Sequence, residues 1–165
     1  MTNPPVYVNA RALIRRQSPG GEELVVQTRN KPHEGRKVLE LPGGQLRTYE
    51  SFVSALRREV KEETGLDVTV IEGEETRLET SGSSRVECLR PYTVYQTLEG
   101  PVDSLGVYFL CEAEGDLLRR GDDTEDIRWL SLSAIAAQLG EDAEGVSWVD
   151  RAALSFYLRE RGVTS

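Results

Sequence analysis

A helix-forming segment enclosed by glycines constrains the fold more than any other part of this sequence. Residues 49–64 contain no glycine or proline, follow Leu41-Pro42-Gly43-Gly44, and are followed by Gly65. Two adjacent glycines permit a tight turn and a close approach of a ligand to the backbone, and a glycine directly after a helix is a common C-terminal cap. The sequence therefore predicts a short strand over 38–41, a glycine turn, and a helix over 49–64.

The predicted helix carries three glutamates on one side. Glu59, Glu62 and Glu63 are spaced i, i+3 and i+4, so they cluster on one side of a helix. At about 100° per residue, Glu63 projects between Phe52 and Leu56 of the apolar stripe. Clustered and partly buried carboxylates are costly when unpaired. Basic partners or a divalent cation with oxygen ligands would relieve this cost, and a solvated charged surface is the alternative.

The spacing of the loop and the helix together resembles the Nudix hydrolase signature. That pattern is G, five residues, E, seven residues, then R-E-aliphatic-x-E-E-x-G-aliphatic. Every fixed position over residues 44–66 is filled, by Gly44, Glu50, Arg58, Glu59, Val60, Glu62, Glu63, Gly65 and Leu66. We call residues 44–66 the box.

The resemblance implies a metal site and a set of supporting residues. It implies that Mg²⁺, with Mn²⁺ as an alternative, binds to Glu59, Glu62, Glu63 and the carbonyl of Gly43. It also implies that Gly44, Glu50 and Gly65 support the geometry of the loop and helix. Arg58 is expected to pair with a Glu50 that lies before the helix or in its first turn. A surface pair between Arg58 and Glu62 is the alternative.

The resemblance further implies a pyrophosphohydrolase. Nudix enzymes cleave the phosphoric anhydride of a nucleoside diphosphate linked to a group X, such as a (d)NTP or a nucleotide sugar. The catalytic residues expected here are Glu59 as the first candidate for the base, Arg58, and Glu125 in the acidic segment 122–126. An acidic solvated loop is the alternative for Glu125. A non-catalytic nucleotide-sensing module is the alternative for the whole chain.

The sequence says little about substrate recognition. Aromatic residues follow the box, and each is expected in the core unless one stacks on a base: Tyr92, Tyr95, Tyr108, Phe109 and Trp129. The substrate-binding candidates are Arg90, Tyr92 and Trp129. The single histidine, His33, lies in a polar loop and is expected at the surface.

The remaining segments predict an α/β protein with a mixed sheet, which resembles the Nudix-type α/β/α sandwich. We expect one domain over residues 1–165. Strands are predicted over 6–14, 24–29, 38–41, 68–71 (extending toward 78), 86–98, 105–112 and 126–130. Further helices are predicted over 131–139 and 147–161, with Ser147 and Asp150 as a capping box. Residues 73–84 are expected to form a mobile loop or a hairpin tip.

Composition limits the partners. Lys and Arg number 20 and Asp and Glu number 28, for a net charge of −8, so we expect a small nucleotide substrate and no long nucleic acid. No apolar run approaches the roughly 18 residues of a membrane helix, and residues 1–5 show no secretory signal. Two isolated cysteines, Cys88 and Cys111, favour a reducing cytoplasm and an ordinary place in strands. Both a monomer and a homodimer are compatible with the sequence.

Overall fold

A computed structural model describes residues 5–31 and 35–164. His33 lies outside the described residues. The three helices are α1 (Phe52–Thr64), α2 (Leu132–Glu141) and α3 (Trp148–Glu160). The strands are β1 (Tyr7–Ser18), β2 (Gly21–Arg29), β3 (Val38–Glu40), β4 (Gly43–Gln45), β5 (Asp67–Ile71), β6 (Leu78–Glu79), β7 (Glu87–Cys88), β8 (Thr93–Gln96), β9 (Ser104–Glu114), β10 (Arg120–Gly121) and β11 (Thr124–Ser131).

The main sheet is mixed, as predicted. Its strands run in the order β10-β11-β2-β1-β9-β5, with β3 on β2, β4 on β1 and β8 on β9, while β6 and β7 form a separate two-stranded ribbon. Strands β1 and β9 are parallel, from the pair Tyr7 and Ser104 to the pair Ile14 and Cys111. The other pairings between described strands are antiparallel.

Helices cover both faces of this sheet, which confirms the α/β/α arrangement. Alternate residues of a strand point to opposite faces. Ala12 and Phe109 accordingly pack in the core beneath α1, whereas Leu13 and Tyr108 pack in the core beneath α2 and α3. Strand β1 therefore lies between two apolar layers, and its side chains reach elements on both sides.

Helix α1 ends as predicted but begins later. Gly65 is left-handed, with φ of 81°, and its N–H donates to the Lys61 carbonyl at 3.1 Å. The helix begins at Phe52 rather than at residue 49, because Ser51 caps it by accepting a hydrogen bond from the Ser54 N–H at 3.1 Å. Tyr49 has φ of 60°, which is incompatible with a right-handed helix.

The two glycines before α1 do not form a simple turn. They lie in the short strand β4, in which Gly44 pairs with Ala10 of β1. Gly43 has φ of 139°, and a Cβ at this position would lie 2.4 Å from the Ala10 carbonyl oxygen. Only glycine permits this approach, so the dipeptide brings the start of the box against the central strand.

Three other sequence predictions are wrong in detail. The strand expected over 86–98 is divided into β7 and β8, and Pro91, which lacks an N–H, lies between them. Strand β5 ends at Ile71 and is followed by a 3₁₀ turn over Glu74–Thr76 instead of continuing toward residue 78. Ser147 makes no side-chain capping hydrogen bond, and Asp150 is fully buried, so the expected capping box is absent.

Strands β1 and β2 form a hairpin that turns at Ser18–Gly21, where those two residues pair. Lys31, Gly35 and Arg36 lie outside any helix or strand. Cys88 lies in β7 and is exposed, and Cys111 lies in β9 and is buried. Within the described part of the chain, no helix is long and apolar enough to cross a membrane.

Candidate active site

The corner between β3 and β4, the end of α1 and the loop before β11 enclose a polar cleft of about 280 Å³. We call it the acidic cleft. Glu59 and Glu63 line it, together with Gly43 and Gly44. The lining residues are Asn9, Arg11, Arg29, Lys31, Glu40, Gly43, Gly44, Gln45, Glu59, Glu63, Asp122, Asp123 and Thr124.

Glu63 is the most buried box glutamate, at 9% exposed. One carboxylate oxygen, Oε2, accepts hydrogen bonds from the Gly43 N–H and from the Gln27 side-chain amide, both at 2.9 Å. Gln27 also donates to Glu40 at 3.1 Å, so one amide links two buried carboxylates. Burial, with Glu40 as a second cause, raises the pKa of Glu63 to about 8. Glu63 is therefore an acidic group whose ionised form is disfavoured by burial.

Glu59 lies directly against the first glycine of the box. A Cβ on Gly44 would lie 2.6 Å from the Glu59 carboxyl carbon. Any side chain at residue 44 would therefore push Glu59 away from the β4 backbone. This contact explains why residue 44, the first residue of the box, is a glycine.

Arg58 and Glu50 form the bidentate pair that the resemblance implies. Arg58 Nε and one terminal nitrogen each donate to a Glu50 oxygen at 2.8 Å. Glu50 also accepts from the Arg47 N–H at 2.9 Å, and Arg58 donates to the Gln45 carbonyl at 3.2 Å. Mainly through this hydrogen bonding, Arg58 lowers the pKa of Glu50 to about 2.

The same arginine holds the other two box glutamates. Arg58 donates to Glu59 at 2.5 Å and to Glu62 at 3.3 Å. The surface pair of Arg58 with Glu62 therefore exists beside the pair with Glu50. Glu62 is exposed and is absent from the lining of the acidic cleft. Among residues 5–31 and 35–164, no three acidic, histidine or cysteine side chains converge on one point as metal ligands.

The donor set of the acidic cleft nevertheless fits a hard divalent cation. Glu59, Glu63 and the backbone at Gly43 all offer oxygen atoms at this surface, and oxygen is the ligand type that Mg²⁺ prefers. Burial disfavours the ionised form of Glu63, and a cation bound beside this carboxylate would favour it.

Glu125 is not brought to the acidic cleft. Its carboxylate pairs with Lys37 and, at 3.4 Å, with Arg120. The preceding residues, Asp122, Asp123 and Thr124, line the cleft instead. The acidic segment was therefore located from the sequence, but the residues that face the cleft were not, because the direction of side chains in the loop before a strand cannot be obtained from composition.

The three sequence candidates for substrate binding lie elsewhere. Arg90 is exposed, and its N–H donates to Thr76 Oγ1 at 2.8 Å. Tyr92 packs edge-on against Phe156 of α3, with ring centroids 5.7 Å apart. Trp129 lies under the guanidinium of Arg16 at 4.2 Å. None of these three residues lines the acidic cleft.

A second, larger pocket of about 720 Å³ adjoins the acidic cleft. Five residues line both spaces: Asn9, Arg11, Arg29, Glu40 and Gln45. Three aromatic side chains face the second pocket, from Tyr7, Tyr95 and Trp148. Tyr95 is fixed there, because its hydroxyl accepts a hydrogen bond from the Asn9 amide at 2.9 Å. We call this space the aromatic pocket. Tyr108 and Phe109, by contrast, are fully buried in the core, as expected.

A family model supplies the decisive comparison. The model of the NUDIX domain matches residues 6–151, which include the box, the acidic cleft and the start of α3. The chain belongs to the NUDIX domain family. Membership of this family supports a hydrolase that acts on phosphorus anhydrides.

Solved structures share the fold of this Nudix domain. A possible asymmetric diadenosine tetraphosphate hydrolase from Jonesia denitrificans superposes with a TM-score of 0.68 at 16% identity, covering 98% of each chain. A bifunctional NMN adenylyltransferase/ADP ribose pyrophosphatase from Francisella tularensis gives 0.63 at 18% identity, covering 97% of this chain and 42% of that one. A MutT/nudix family protein from Enterococcus faecalis gives 0.59 at 20% identity, covering 78% and 45%. This chain therefore spans less than half the length of the latter two proteins, and identities this low show a shared fold alone.

Proposed function

We propose that this Nudix domain is a divalent-metal-dependent pyrophosphohydrolase acting on a small nucleotide of the form NDP-X. The observation that carries the proposal is the pairing of two spaces. The acidic cleft offers Glu59, Glu63 and the Gly43 backbone to a metal-bound diphosphate, and the aromatic pocket beside it offers Tyr7, Tyr95 and Trp148 to a planar group. The size and lining of the second pocket are those of a small-molecule site.

Glu59, Glu63 and the Gly43 carbonyl would hold Mg²⁺ or Mn²⁺, and Glu62 would join them from the exposed side of α1. The bound metal would neutralise charge on the diphosphate and lower the pKa of a water ligand. An acidic protein can bind an anion in this way, since the cation lies between the like charges. Arg29 and Lys31 line the same cleft, where they pair with Glu40 at 3.6 Å and with Asp123 at 3.9 Å, and they would contact the phosphate oxygens.

Glu59 is our candidate for the base that orients or deprotonates the attacking water. It faces the acidic cleft, whereas Glu125 is paired with Lys37. Water would attack one phosphorus, and the bond from that phosphorus to the bridging oxygen would break. The products would be a nucleoside monophosphate and the phosphorylated remainder, with the water proton passing first to the carboxylate. Arg58 would act by holding Glu59 and Glu62 in position.

The neighbours' descriptions suggest which compounds to test first. The Jonesia protein is described for a diadenosine tetraphosphate and the Francisella protein for ADP-ribose. Both compounds contain a nucleoside joined through phosphoric anhydrides, and both therefore belong to the NDP-X class. We propose the same class of substrate for this chain, bound in the acidic cleft and the aromatic pocket beside it.

Phosphate release coupled to added phosphatases tests the proposal. The wild type, Glu63→Gln, Glu59→Gln and Glu125→Gln are compared on (d)NTPs, ADP-ribose, nucleotide sugars and dinucleoside polyphosphates with Mg²⁺ or Mn²⁺. We expect Glu63→Gln and Glu59→Gln to lose at least about a hundredfold in kcat/KM, and Glu125→Gln to lose less. Glu23→Gln, which removes a surface carboxylate paired with Arg16 at 2.7 Å, is the matched control.

Equal turnover in the wild type and both box variants would contradict the proposal. Tight nucleotide binding without turnover in the wild type would indicate the alternative, a nucleotide-sensing module. A larger loss in Glu125→Gln than in Glu59→Gln would transfer the role of the base to Glu125.

A further inference from the structure

A buried ion pair joins the central strand to the last helix, behind the acidic cleft. Arg11 of β1 is 5% exposed and Asp150 of α3 is completely buried. Arg11 Nε donates to Asp150 Oδ1 at 2.8 Å, and a terminal nitrogen donates to Oδ2 at 3.0 Å. Charges removed from water in this way are costly unless their geometry is well matched. The bidentate arrangement meets that condition.

Both members of the pair also bind the backbone of one residue. Arg11 donates to the Leu41 carbonyl at 2.6 Å, and the Leu41 N–H donates to Asp150 Oδ2 at 2.9 Å. Leu41 has no exposed surface, and it lies between β3 and β4. Its two backbone polar groups are thus satisfied by two charged side chains, one from the sheet and one from α3.

This clamp lies two residues before the glycine that contacts the box helix. The Gly43 N–H donates to Glu63 Oε2, and the Pro42 carbonyl accepts from the Ala12 N–H at 2.8 Å. The corner over residues 41–43 is therefore fixed on three sides, by α3, by β1 and by the Glu63 carboxylate. A shift of Leu41 would move Gly43 relative to Glu63.

We propose that Asp150, acting through Arg11 and Leu41, is a positioning residue for the metal site, which it serves by fixing the Gly43 corner against Glu63. The inference rests on the proposed function, because that function makes the Gly43 carbonyl and Glu63 ligands of the metal. Groups that orient metal ligands from outside the ligand set change metal affinity by about 10–100-fold when they are replaced. Asp150 touches neither metal nor substrate in this account.

Tyr108 provides a matched control within the same network. Its hydroxyl donates to Asp150 Oδ1 at 2.6 Å, and the Val149 carbonyl oxygen lies 2.9 Å from the same hydroxyl. Tyr108→Phe therefore removes one hydrogen bond to the Asp150 carboxylate and leaves the hydrogen bonds to Leu41 in place. A role limited to docking α3 predicts similar consequences for Tyr108→Phe and Asp150→Asn. A positioning role predicts that only the second changes metal binding.

The test is Mn²⁺ binding measured by electron paramagnetic resonance in the absence of substrate. Asp150→Asn places an amide where a carboxylate accepts from Leu41 and Arg11. Arg11→Lys keeps the charge beside Asp150 but carries its three N–H donors on one nitrogen, which cannot reproduce the bidentate contact with Asp150 together with the bond to Leu41. We expect the Kd for Mn²⁺ to rise at least about tenfold in both variants and less than about twofold in Tyr108→Phe. In turnover, the Mg²⁺ concentration for half-maximal rate should rise while the rate at saturating Mg²⁺ changes little.

The possible results distinguish a failure of the positioning role from a failure of the proposed function. An unchanged Kd in Asp150→Asn, or an equal rise in Tyr108→Phe, would overturn the positioning role while the proposed function stands. A wild type that binds no Mn²⁺ would overturn the proposed function and this inference together. Should Asp150→Asn fail to fold, Arg11→Lys decides by the same criterion.

Discussion

Two arginine–carboxylate pairs fix the start of the box, and they differ in nearly every other respect. Arg58 and Glu50 are eight residues apart in the sequence, and their side chains are 17% and 13% exposed. Arg11 and Asp150 are 139 residues apart, and their side chains are 6% and 0% exposed. The first pair holds the segment after β4, and the second holds the segment before it.

The difference concerns both energy and predictability. A pair with access to water gains little and loses little when broken. A buried pair leaves an uncompensated charge when one partner is removed, and that state is strongly disfavoured. The Arg58–Glu50 pair can therefore rearrange together with the other box glutamates that contact Arg58. The Arg11–Asp150 pair instead holds the corner over residues 41–43 in one position.

Asp150→Ala should have the largest effect on stability. It leaves the Arg11 guanidinium buried with only the more distant Glu40, at 3.6 Å. We expect the free energy of unfolding to fall by about 3–5 kcal/mol, measured by urea denaturation at neutral pH. A loss of about 2 kcal/mol or less would show that the buried pair is no stronger than the Glu50–Arg58 pair.

Glu50→Gln should cost less stability. The variant keeps the shape of the side chain but removes the charge that Arg58 meets with two hydrogen bonds. We expect a loss of about 1–2 kcal/mol in the same denaturation experiment. A loss equal to that of Asp150→Ala would remove the distinction between the two pairs.

The pH dependence of that loss sharpens the comparison. The pKa of Glu50 is lowered from 4.5 to about 2, mainly by its hydrogen bonds with Arg58. A carboxylate with a lowered folded-state pKa stabilises the fold above its unfolded pKa, and this contribution disappears as the pH falls through the folded value. The difference between the wild type and Glu50→Gln should therefore be full at about pH 6 and shrink progressively below about pH 4.5. A difference that grows on acidification would contradict the assignment.

The smallest effect is expected at the start of α3. Ser51 caps α1 through its side chain, whereas Ser147 makes no such bond to α3. Replacing a working cap with alanine costs about 1 kcal/mol. We therefore expect Ser51→Ala to lose about 1 kcal/mol and Ser147→Ala less than about 0.5 kcal/mol. Equal losses would mean that Ser147 caps α3 after all. Thermal denaturation of both variants distinguishes these cases.

Of these two pairs, the sequence could predict the Glu50–Arg58 pair but not the Arg11–Asp150 pair. The Glu50–Arg58 pair is implied by the resemblance to the Nudix signature, and the place of Glu63 beside the apolar stripe follows from helical spacing along one segment. Asp150 was assigned to a capping box with Ser147, since its local spacing fits that motif. Its true partner, Arg11, lies on another element, and only the assembled sheet brings the two together.

The acidic cleft shows the same limit. The glycine pair predicted a close approach of a ligand to the backbone, whereas the approach that the structure shows is that of strand β1, at Gly43 and Ala10. Gln27 and Glu40, which lie beside Glu63, carry no local signal because β2 and β3 look like ordinary strands. The aromatic pocket gathers Tyr7, Tyr95 and Trp148 from three distant segments. Without the topology, no pattern separates these side chains from aromatic residues of the core.

The central claim is metal-dependent hydrolysis of a phosphoric anhydride, and product analysis in ¹⁸O-labelled water tests it most directly. ADP-ribose, diadenosine tetraphosphate and dGTP are incubated with the protein and Mg²⁺, and the products are identified by ³¹P NMR and mass spectrometry. Our account predicts a nucleoside monophosphate among the products of at least one substrate, one ¹⁸O in one of the two new phosphate groups, and loss of turnover with excess chelator and in Glu59→Gln. No product from these compounds, or turnover that survives both the chelator and the Glu59→Gln substitution, would contradict it.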